Sequence, residues 1–416
     1  MTLLAKLALL SVVFIDIMGQ GLVFPIVDTL VMDPQSGFLP ATTLTGSRHF
    51  TYGVVTAVFF LSWFFGAPYV SRLSDSIGRK PAILFCLFGA LAGYAITIAA
   101  LQLGSLMLLL VGRAITGFTA GNQPIAQAAM IDGSRDEADR SRNMGYIMTG
   151  TSAGLLAGPV IGGVFSDPAI IGSATSLSLP FVVALALVAL SMVFVALSFH
   201  DLRAERAPFR FRAFELVESI LRVRHYPIVM RIAIVLVAFH LANLTFYIFI
   251  DNFMASRFDY GTFGTSMVML TIGAALALSS TFLVVPAHRR FDKKTILAAN
   301  FVVWAVAALA VIASPAALLC FVPIFAFYFV FGISYPTLLA IFSLSVSDAE
   351  QGWVMGITMA AFTFVGGIVS LLGGWLIAVD IDLPFIVVAT AAIFAIGVMR
   401  LAWSTEALAR LTRRTA

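Results

Sequence analysis

The sequence predicts an all-α membrane protein with twelve transmembrane helices, and three observations support this prediction. Of its 416 residues, 60% are hydrophobic and 11% are charged, whereas a soluble domain needs about 25% charged residues to keep its surface hydrated. Its mean hydropathy is +1.01. Apolar stretches of about 20 residues, the length that crosses a hydrocarbon layer of ~30 Å, recur along the whole chain and leave no block for a soluble domain.

The apolar stretches set the order of the predicted helices. They cover residues 5–32, 50–70, 82–101, 105–131, 143–166, 179–199, 229–252, 264–286, 295–313, 316–346, 353–377 and 384–402. The first stretch is similar to a signal peptide, but no cleavage site of small residues follows it, so we expect it to remain as helix 1. The two cysteines, Cys86 and Cys320, fall on different helices, which predicts neither a disulfide nor a metal cluster.

The basic residues predict how the chain is oriented in the membrane. Lys and Arg collect on the cytoplasmic side of membrane proteins, and here they lie mainly in alternate connections, with only Arg48 and Arg257 in the others. This pattern places both termini in the cytoplasm and predicts a multi-pass protein of the inner membrane with an even number of spans. Nucleic-acid binding is not indicated, because the basic residues are spread over every inner loop and orientation accounts for them.

The longest inner connection divides the helices six and six. We predict three segments, namely an N-terminal six-helix bundle, a cytoplasmic linker and a C-terminal six-helix bundle over residues 1–200, 201–228 and 229–416. Gly145 and Gly356 are 211 residues apart (356 − 145), as are Gly162 and Gly373 (373 − 162). This repeat predicts two bundles related by a pseudo-two-fold axis along the membrane normal, an architecture that lets one bundle rock against the other.

Catalytic chemistry is not indicated by any motif. The sequence contains no metal-ligand cluster, nucleophile elbow or phosphate-binding glycine loop, and its inner loops are too short for an ATPase domain. We therefore expect neither an enzyme nor a bound cofactor or metal. The energy for transport would come from an ion gradient, because moving one charge across 100 mV is worth ~2.3 kcal/mol.

Four segments carry motifs that point to a family. They are Asp16-Ile-Met-Gly-Gln-Gly-Leu-Val-Phe-Pro25 in helix 1, Arg72-Leu-Ser-Asp-Ser-Ile-Gly-Arg-Lys-Pro81 after helix 2, Gly112-Arg-Ala-Ile-Thr-Gly117 in helix 4 and Gly154-x-x-x-Gly158-Pro159-x-x-Gly162-Gly163 in helix 5. With these segments the chain resembles the major facilitator superfamily and, within it, the twelve-span drug:proton antiporters, including the tetracycline exporters. The resemblance implies a proton-coupled transporter that exports small amphipathic or drug-like compounds by alternating access.

Asp16 and Arg113 are the candidate proton-coupling residues. Asp16 lies about 11 residues, or ~16 Å, from the inner end of helix 1, and a carboxylate at that depth is a functional candidate because an unpaired charge is costly there. Arg113 in helix 4 falls at nearly the same depth, so its guanidinium could bias the acid. The alternatives are a polar packing role for Asp16 and a structural clasp between helices 1 and 4 for Arg113.

Candidate substrate-binding residues form polar and aromatic stripes. Helix 7 places His240, Asn243, Tyr247 and Asp251 on one face. His240 could relay a proton or contact substrate, although a packing histidine is an alternative. The other candidates are Gln20, one turn after Asp16, and Tyr328 and Tyr335 on helix 10, which suit an aromatic pocket for amphipathic ligands.

Two further segments are candidates for gating. Asp75, Gly78, Arg79 and Lys80 in the loop after helix 2 are expected to act as a latch, with Asp75 near a helix end and the basic residues at lipid headgroups. In helix 5, small residues and a proline allow close helix contact; they are Gly154, Gly158, Pro159, Gly162 and Gly163. We expect this second segment to seal the outer half against a helix of the other bundle, with ordinary helix packing as the alternative.

Three other functions fit the same pattern. The first is a dedicated exporter of one endogenous metabolite such as a siderophore, and the second is a proton-coupled uptake symporter. The third, from a different class, is a membrane receptor or scaffold without transport, against which the duplicated halves and the midplane charges argue. The expected partners are a small-molecule substrate, protons and the lipid bilayer, and the expected oligomeric state is a monomer.

Overall fold

A computed structural model describes residues 1–166, 168–172, 175–201, 215–347 and 350–413. Within these ranges the ordered elements are helices, and eleven of the helices are long and apolar enough to cross a membrane. Their bounds agree with eleven of the predicted spans to within seven residues, because each apolar stretch is long enough to cross the bilayer. The largest differences are in the second and seventh spans, whose helices extend beyond the predicted apolar stretch. The predicted all-α membrane fold is confirmed.

The chain forms two compact units, of which the first comprises Met1–Phe211 and Tyr260–Leu270. Its helices are α1 (Leu3–Met32), α2 (Thr45–Ile77), α3 (Arg79–Leu103), α4 (Leu106–Phe118), α5 (Asn122–Asp132), α6 (Glu137–Ser166), α7 (Pro168–Ile171) and α8 (Leu179–Ser198). The helix α1 contacts α2, α5, α6 and α8. It therefore forms the centre of this unit, and its polar side chains are held inside the protein.

The second unit comprises Arg212–Asp259 and Thr271–Ala416. Its helices are α9 (Glu215–Arg222), α10 (Pro227–Phe258), most of α11 (Thr262–Phe282), α12 (Val284–Arg290), α13 (Lys293–Ala313), α14 (Ala317–Leu344), α15 (Gln351–Val379), α16 (Leu383–Ala402) and α17 (Glu406–Thr412). The predicted linker over 201–228 includes α9, whereas its residues 202–214 lie outside the described part of the chain.

The fourth predicted span, over 105–131, is divided into the two helices α4 and α5. In a continuous helix Pro124 would lack the N–H that bonds to Ala120, and its ring would collide with that carbonyl. The chain instead turns between the two helices, where the N–H of Ala120 donates to the Gly117 carbonyl at 3.0 Å and that of Gly121 to the Thr119 carbonyl at 2.8 Å. Pro124 thereby falls in the first turn of α5, where its missing N–H costs little.

Both units contain an acidic residue near the start of a long helix that binds a basic residue from elsewhere in its unit. Asp139 in the first unit accepts from the Lys6 amine at 3.2 Å, and Glu350 in the second accepts from the Arg222 guanidinium at 2.5 Å. A hydrogen bond from Arg142 holds the pKa of the Asp139 carboxyl well below its usual range. The two acids are 211 residues apart (350 − 139), the offset of the repeated glycines, which supports the predicted duplication.

Candidate functional site

Asp16 lies at the break between α4 and α5. The N-cap residue of α5, Gly121, provides no side chain to bond the first N–H groups of that helix, and Asp16 Oδ2 accepts a hydrogen bond from the Gln123 N–H at 3.2 Å. Partial positive charge at a helix N-terminus stabilises a carboxylate there. Asp16 therefore caps α5 from a different helix, and its side chain is only half-buried because it also lines a cavity.

The cavity next to Asp16 is small and has several polar side chains in its lining. It has a volume of about 40 Å³, which is room for roughly three water molecules but not for a drug-sized compound. Its polar lining side chains are Asp16, Gln20, Tyr94, Arg113, Thr116, Thr119 and Asn122. Asp16, Arg113 and Gln20 are thus brought together as the sequence suggested, in a space suited to water and protons.

Arg113 shares this cavity with Asp16 but does not form an ion pair with it among the described residues. Its side chain is 6% exposed, and the guanidinium lies over the ring of Phe59 with its central carbon 4.2 Å from the ring centroid. The Nε of Arg113 and the Oδ1 of Asn122 are buried without a hydrogen-bond partner in the described structure. Because buried polar atoms are normally satisfied, we expect water in the cavity to bond to these groups.

Several residues of this cavity were not predicted from the sequence. They are Tyr94, Asn122 and Phe59, which the packing of α2, α3 and α5 brings together, and the Gln123 N–H that bonds to Asp16 was not predicted either. The hydroxyl of Tyr94 lies so close to α1 that a Cβ on Gly19 would be 2.1 Å from it, so a larger residue at that position would displace the Tyr94 hydroxyl. The one available signal was Pro124, whose position within an apolar stretch indicated a break in the helix.

The aromatic substrate-binding candidates of the second unit belong to one network of ring contacts, in which Phe331 links Tyr335 to Tyr328. The His240 ring lies 6.0 Å from the Tyr335 ring and 5.4 Å from the Phe362 ring, whereas the Tyr247 and Tyr328 rings are 6.4 Å apart. Both ring nitrogens of His240 are buried without a hydrogen-bond partner among the described residues, as are the Tyr328 hydroxyl and the Asn243 Oδ1. A packing histidine would normally be satisfied, so these atoms are available to water or a ligand.

The glycines of the predicted helix 5 lie in α6, and they pack against the backbone of α1 in the same unit. A Cβ on Gly154 would lie 2.4 Å from the Phe14 carbonyl oxygen, and one on Gly158 would lie 2.5 Å from that of Met18. Pro159 continues this contact against Gly21. We expected these residues to face a helix of the other bundle, but they contact α1 of their own unit. The reason is that α6 and α1 run side by side, with small residues of α6 every four positions.

The two remaining glycines of the motif differ in their neighbours. Gly162 faces Leu22 of α1, with a Cβ position 3.3 Å from the Leu22 carbonyl oxygen. Gly163 instead faces the first turns of α11, where a Cβ would lie 2.7 Å from that of Ser266. Gly163 is thus the member of the motif that contacts a helix from the second half of the sequence, through residues that belong to the first compact unit.

The sequence profile described as Major Facilitator Superfamily matches residues 9–370. The chain belongs to this superfamily. Among characterised relatives, the class C tetracycline resistance protein of Escherichia coli is 30% identical over 362 residues, which is 86% of each chain. The chain is therefore a multi-pass membrane transporter of this superfamily, and the resemblance inferred from its motifs is confirmed.

Solved structures of the superfamily have the same fold. The human organic anion transporter MFSD10 superposes with a TM-score of 0.71 at 17% identity, over 95% of this chain and 99% of that chain. A D-xylose-proton symporter superposes with a TM-score of 0.74 at 11% identity, over 97% and 98%. At these identities the likeness shows the fold alone, and it supports twelve membrane crossings with the divided α4–α5 segment as the fourth.

The segment from Arg72 to Pro81 between the bodies of α2 and α3, which we call the signature loop, makes protein contacts in this structure. The Arg79 guanidinium binds Asp75 at 2.9 Å and Asp132 at 3.2 Å, and the Lys80 amine donates to the Ala196 carbonyl at 2.7 Å. We expected both basic side chains at lipid headgroups. The structure instead places Arg79 against carboxylates at the ends of α2 and α5. It places Lys80 against a carbonyl near the end of α8, where a cation interacts favourably with the helix C-terminus.

Asp201, which follows α8, completes this loop and was not predicted as a site residue. Its carboxylate accepts the backbone N–H of Arg79 at 3.0 Å and that of Lys80 at 3.3 Å, so it caps the N-terminus of α3. Lys80 binds the end of α8 in return. Gly78 makes room for this arrangement, because a Cβ there would lie 2.1 Å from Asp201 Oδ2.

Replacing Gly78 by Ala should destabilise this loop. Gly78 has φ 107° and ψ 162°, a region that is essentially restricted to glycine and costs other residues roughly 1–3 kcal/mol, and the new methyl would also displace Asp201. We expect a lower unfolding temperature in detergent for Gly78→Ala. Gly104→Ala is the matched control, since Gly104 has φ 60° with nothing within 4 Å. Equal unfolding temperatures for the two variants would contradict the role of Asp201.

Proposed function

We propose that this protein exports small amphipathic or drug-like compounds across the inner membrane in exchange for protons, by alternating access and with both termini in the cytoplasm. The sequence identity of 30% with a tetracycline resistance protein, over 86% of both chains, supports the assignment to exporters. The distribution of Lys and Arg supports the orientation. The remaining support comes from the chemistry of the Asp16 cavity.

The observation that carries this proposal is the position of the Asp16 carboxylate at the N-terminus of α5. A hydrogen bond from an N–H to a carboxylate is charge-assisted and about twice as strong as one to a neutral acceptor. Protonation of Asp16 would therefore weaken the contact between α1 and α5. Binding of one proton would be linked to the geometry of the α4–α5 break, which is the kind of two-state element that coupling requires.

Arg113 is proposed to set the balance between the two protonation states. Its guanidinium is held by Phe59 in the same cavity without pairing directly with Asp16. A fixed positive charge at that position favours the ionised acid, and water can carry a proton between them. The Arg113 charge would thus help Asp16 release its proton when the cavity opens to the side of lower proton concentration.

The second unit is proposed to contribute substrate contacts. His240, Asn243 and Tyr328 present buried polar atoms without hydrogen-bond partners among the described residues. The His240 ring lies next to the rings of Tyr335 and Phe362. Aromatic rings combined with a few polar groups are the lining expected for amphipathic ligands.

The proton gradient supplies enough energy for uphill export. One proton that crosses the membrane contributes ~2.3 kcal/mol per 100 mV of membrane potential and ~1.36 kcal/mol per unit of pH difference.

The proposal can be tested in everted membrane vesicles that contain the protein and a pH-sensitive dye. Respiration acidifies the vesicle lumen, and addition of a transported compound should then release protons and accumulate the compound in the lumen. Tetracycline and a panel of amphipathic dyes are the first compounds to add, and vesicles without the protein are the control. Proton movement together with compound leaving the lumen would contradict export and favour the uptake symporter instead.

A further inference from the structure

Helices α1 and α8 of the first unit border two cavities that follow one another along the same seam. The first is a groove of about 380 Å³ that runs along α8 from Leu187 to Leu197. The second is a pocket of about 330 Å³ at the end of the helices, lined by Met1, Thr2, Ala5, Arg135, Ser198 and His200. We call these two cavities the α1–α8 groove and the Arg135 pocket. Asp16 lines neither of them.

The α1–α8 groove is suited to a hydrocarbon chain. Its lining is apolar except for Ser11 and Ser191, whose hydroxyls bond to each other at 2.8 Å and so offer little to a polar ligand. The side chains of Leu190, Val193 and Leu197 are more than half exposed at its rim. From Leu187 to Leu197 the groove spans ten residues, or ~15 Å of helix, which is about one leaflet of a ~30 Å hydrocarbon layer.

The Arg135 pocket is suited to an anionic headgroup. The side chains of Arg135 and His200 are exposed and make no hydrogen bond or ion pair with any described residue. The nearby Lys6 differs, because its amine is occupied by Asp139 at 3.2 Å and Asn143 at 2.7 Å. A free guanidinium presents several donors that match phosphate oxygens, and an imidazole N–H can add one more.

We propose that the α1–α8 groove and the Arg135 pocket together bind one anionic phospholipid. The acyl chain lies in the groove and the phosphate is held by Arg135 and His200. Under the proposed orientation this lipid belongs to the cytoplasmic leaflet, where anionic lipids attract basic residues. The site itself does not depend on the direction of transport or on proton coupling.

The two cavities contribute differently to lipid selection. Lipid tails already surround the protein, so an apolar groove gains little from the hydrophobic effect and acts through its shape. The charge in the Arg135 pocket therefore decides which headgroup is preferred, and each cation near the membrane surface changes that preference about fivefold.

The groove also borders the proposed proton site. Ile15 lines both the groove and the Asp16 cavity, so a bound acyl chain packs against one wall of that site.

The experiment is native mass spectrometry of the purified full-length protein titrated with phosphatidylglycerol or phosphatidylcholine of identical acyl chains. The wild type should form a one-to-one complex with phosphatidylglycerol at about fivefold lower concentration than with phosphatidylcholine. Arg135→Gln should remove this preference. Arg140→Gln is the matched control, because Arg140 is an exposed arginine in the same segment that does not line the pocket, and it should retain the preference.

A second pair of variants tests the groove. Val193→Trp fills it and should weaken the complexes with both lipids, whereas Val182→Trp changes an exposed valine of α8 outside the groove and should not. If Val193→Trp is not monodisperse, Leu197→Trp tests the same contact at the rim. Equal affinity of the wild type for the two lipids, the same loss in both arginine variants, or unchanged binding by the groove variant would overturn the proposal.

Discussion

Asp16→Asn is expected to abolish substrate-induced proton release while leaving the amount of folded protein in the membrane near the wild-type level. The amide has nearly the volume of the acid, and its carbonyl oxygen can still accept the Gln123 N–H that Asp16 accepts at 3.2 Å. The substituted amide therefore still caps α5 but carries no charge. The variant cannot lose or gain a proton, so the strength of this hydrogen bond no longer changes during the cycle.

The measurement uses everted vesicles and a compound that the wild type transports. Proton release and luminal accumulation are recorded for Asp16→Asn, and protein quantity and monodispersity are checked after extraction. Asp28→Asn is the matched control, because Asp28 is the other carboxylate within α1 and lies three turns further along the helix. Loss of proton release in Asp28→Asn with full release in Asp16→Asn would move the proton site to Asp28 and remove the proposed role of the α5 cap.

Gly158→Leu is expected to destabilise the packing of α6 against α1. A Cβ at this position would lie 2.5 Å from the Met18 carbonyl oxygen and 3.1 Å from the Leu22 N, both of which are backbone atoms of α1. Backbone cannot yield as a flexible side chain can, so the two helices must separate. Overpacking of this kind costs typically 1–3 kcal/mol, and here it also moves the helix that carries Asp16.

The prediction is checked by thermal unfolding in detergent and by efflux of a transported dye from cells. We expect a lower unfolding temperature and reduced efflux for Gly158→Leu. Gly145→Leu, on the same helix, is the matched control, because a Cβ at Gly145 would have nothing within 4 Å. Wild-type stability and efflux for Gly158→Leu would show that contact with α1 is not essential and would leave the glycine pattern without a functional explanation.

The sequence by itself determined the membrane fold, the family and the candidate proton residue. Apolar length is a one-dimensional property, and the thickness of the bilayer converts it directly into helices, which is why eleven helices match the predicted spans. Asp16 could be recognised because a carboxylate in an apolar stretch is rare whatever surrounds it. The signature loop and the glycine motif of helix 5 could indicate the superfamily because each is a short pattern of neighbouring residues, which is visible in the sequence without the tertiary structure.

Only the tertiary structure decided which residues act on Asp16 and which helix the glycines of α6 contact. The partner of Asp16 is a backbone N–H at Gln123, 107 residues away, which has no side-chain signature in the sequence. Arg113 matches Asp16 in depth, but depth does not fix the direction of a side chain, and its guanidinium lies over Phe59 instead of pairing with the acid. Close packing in three dimensions sets such contacts, and hydropathy and spacing along one chain do not contain that information.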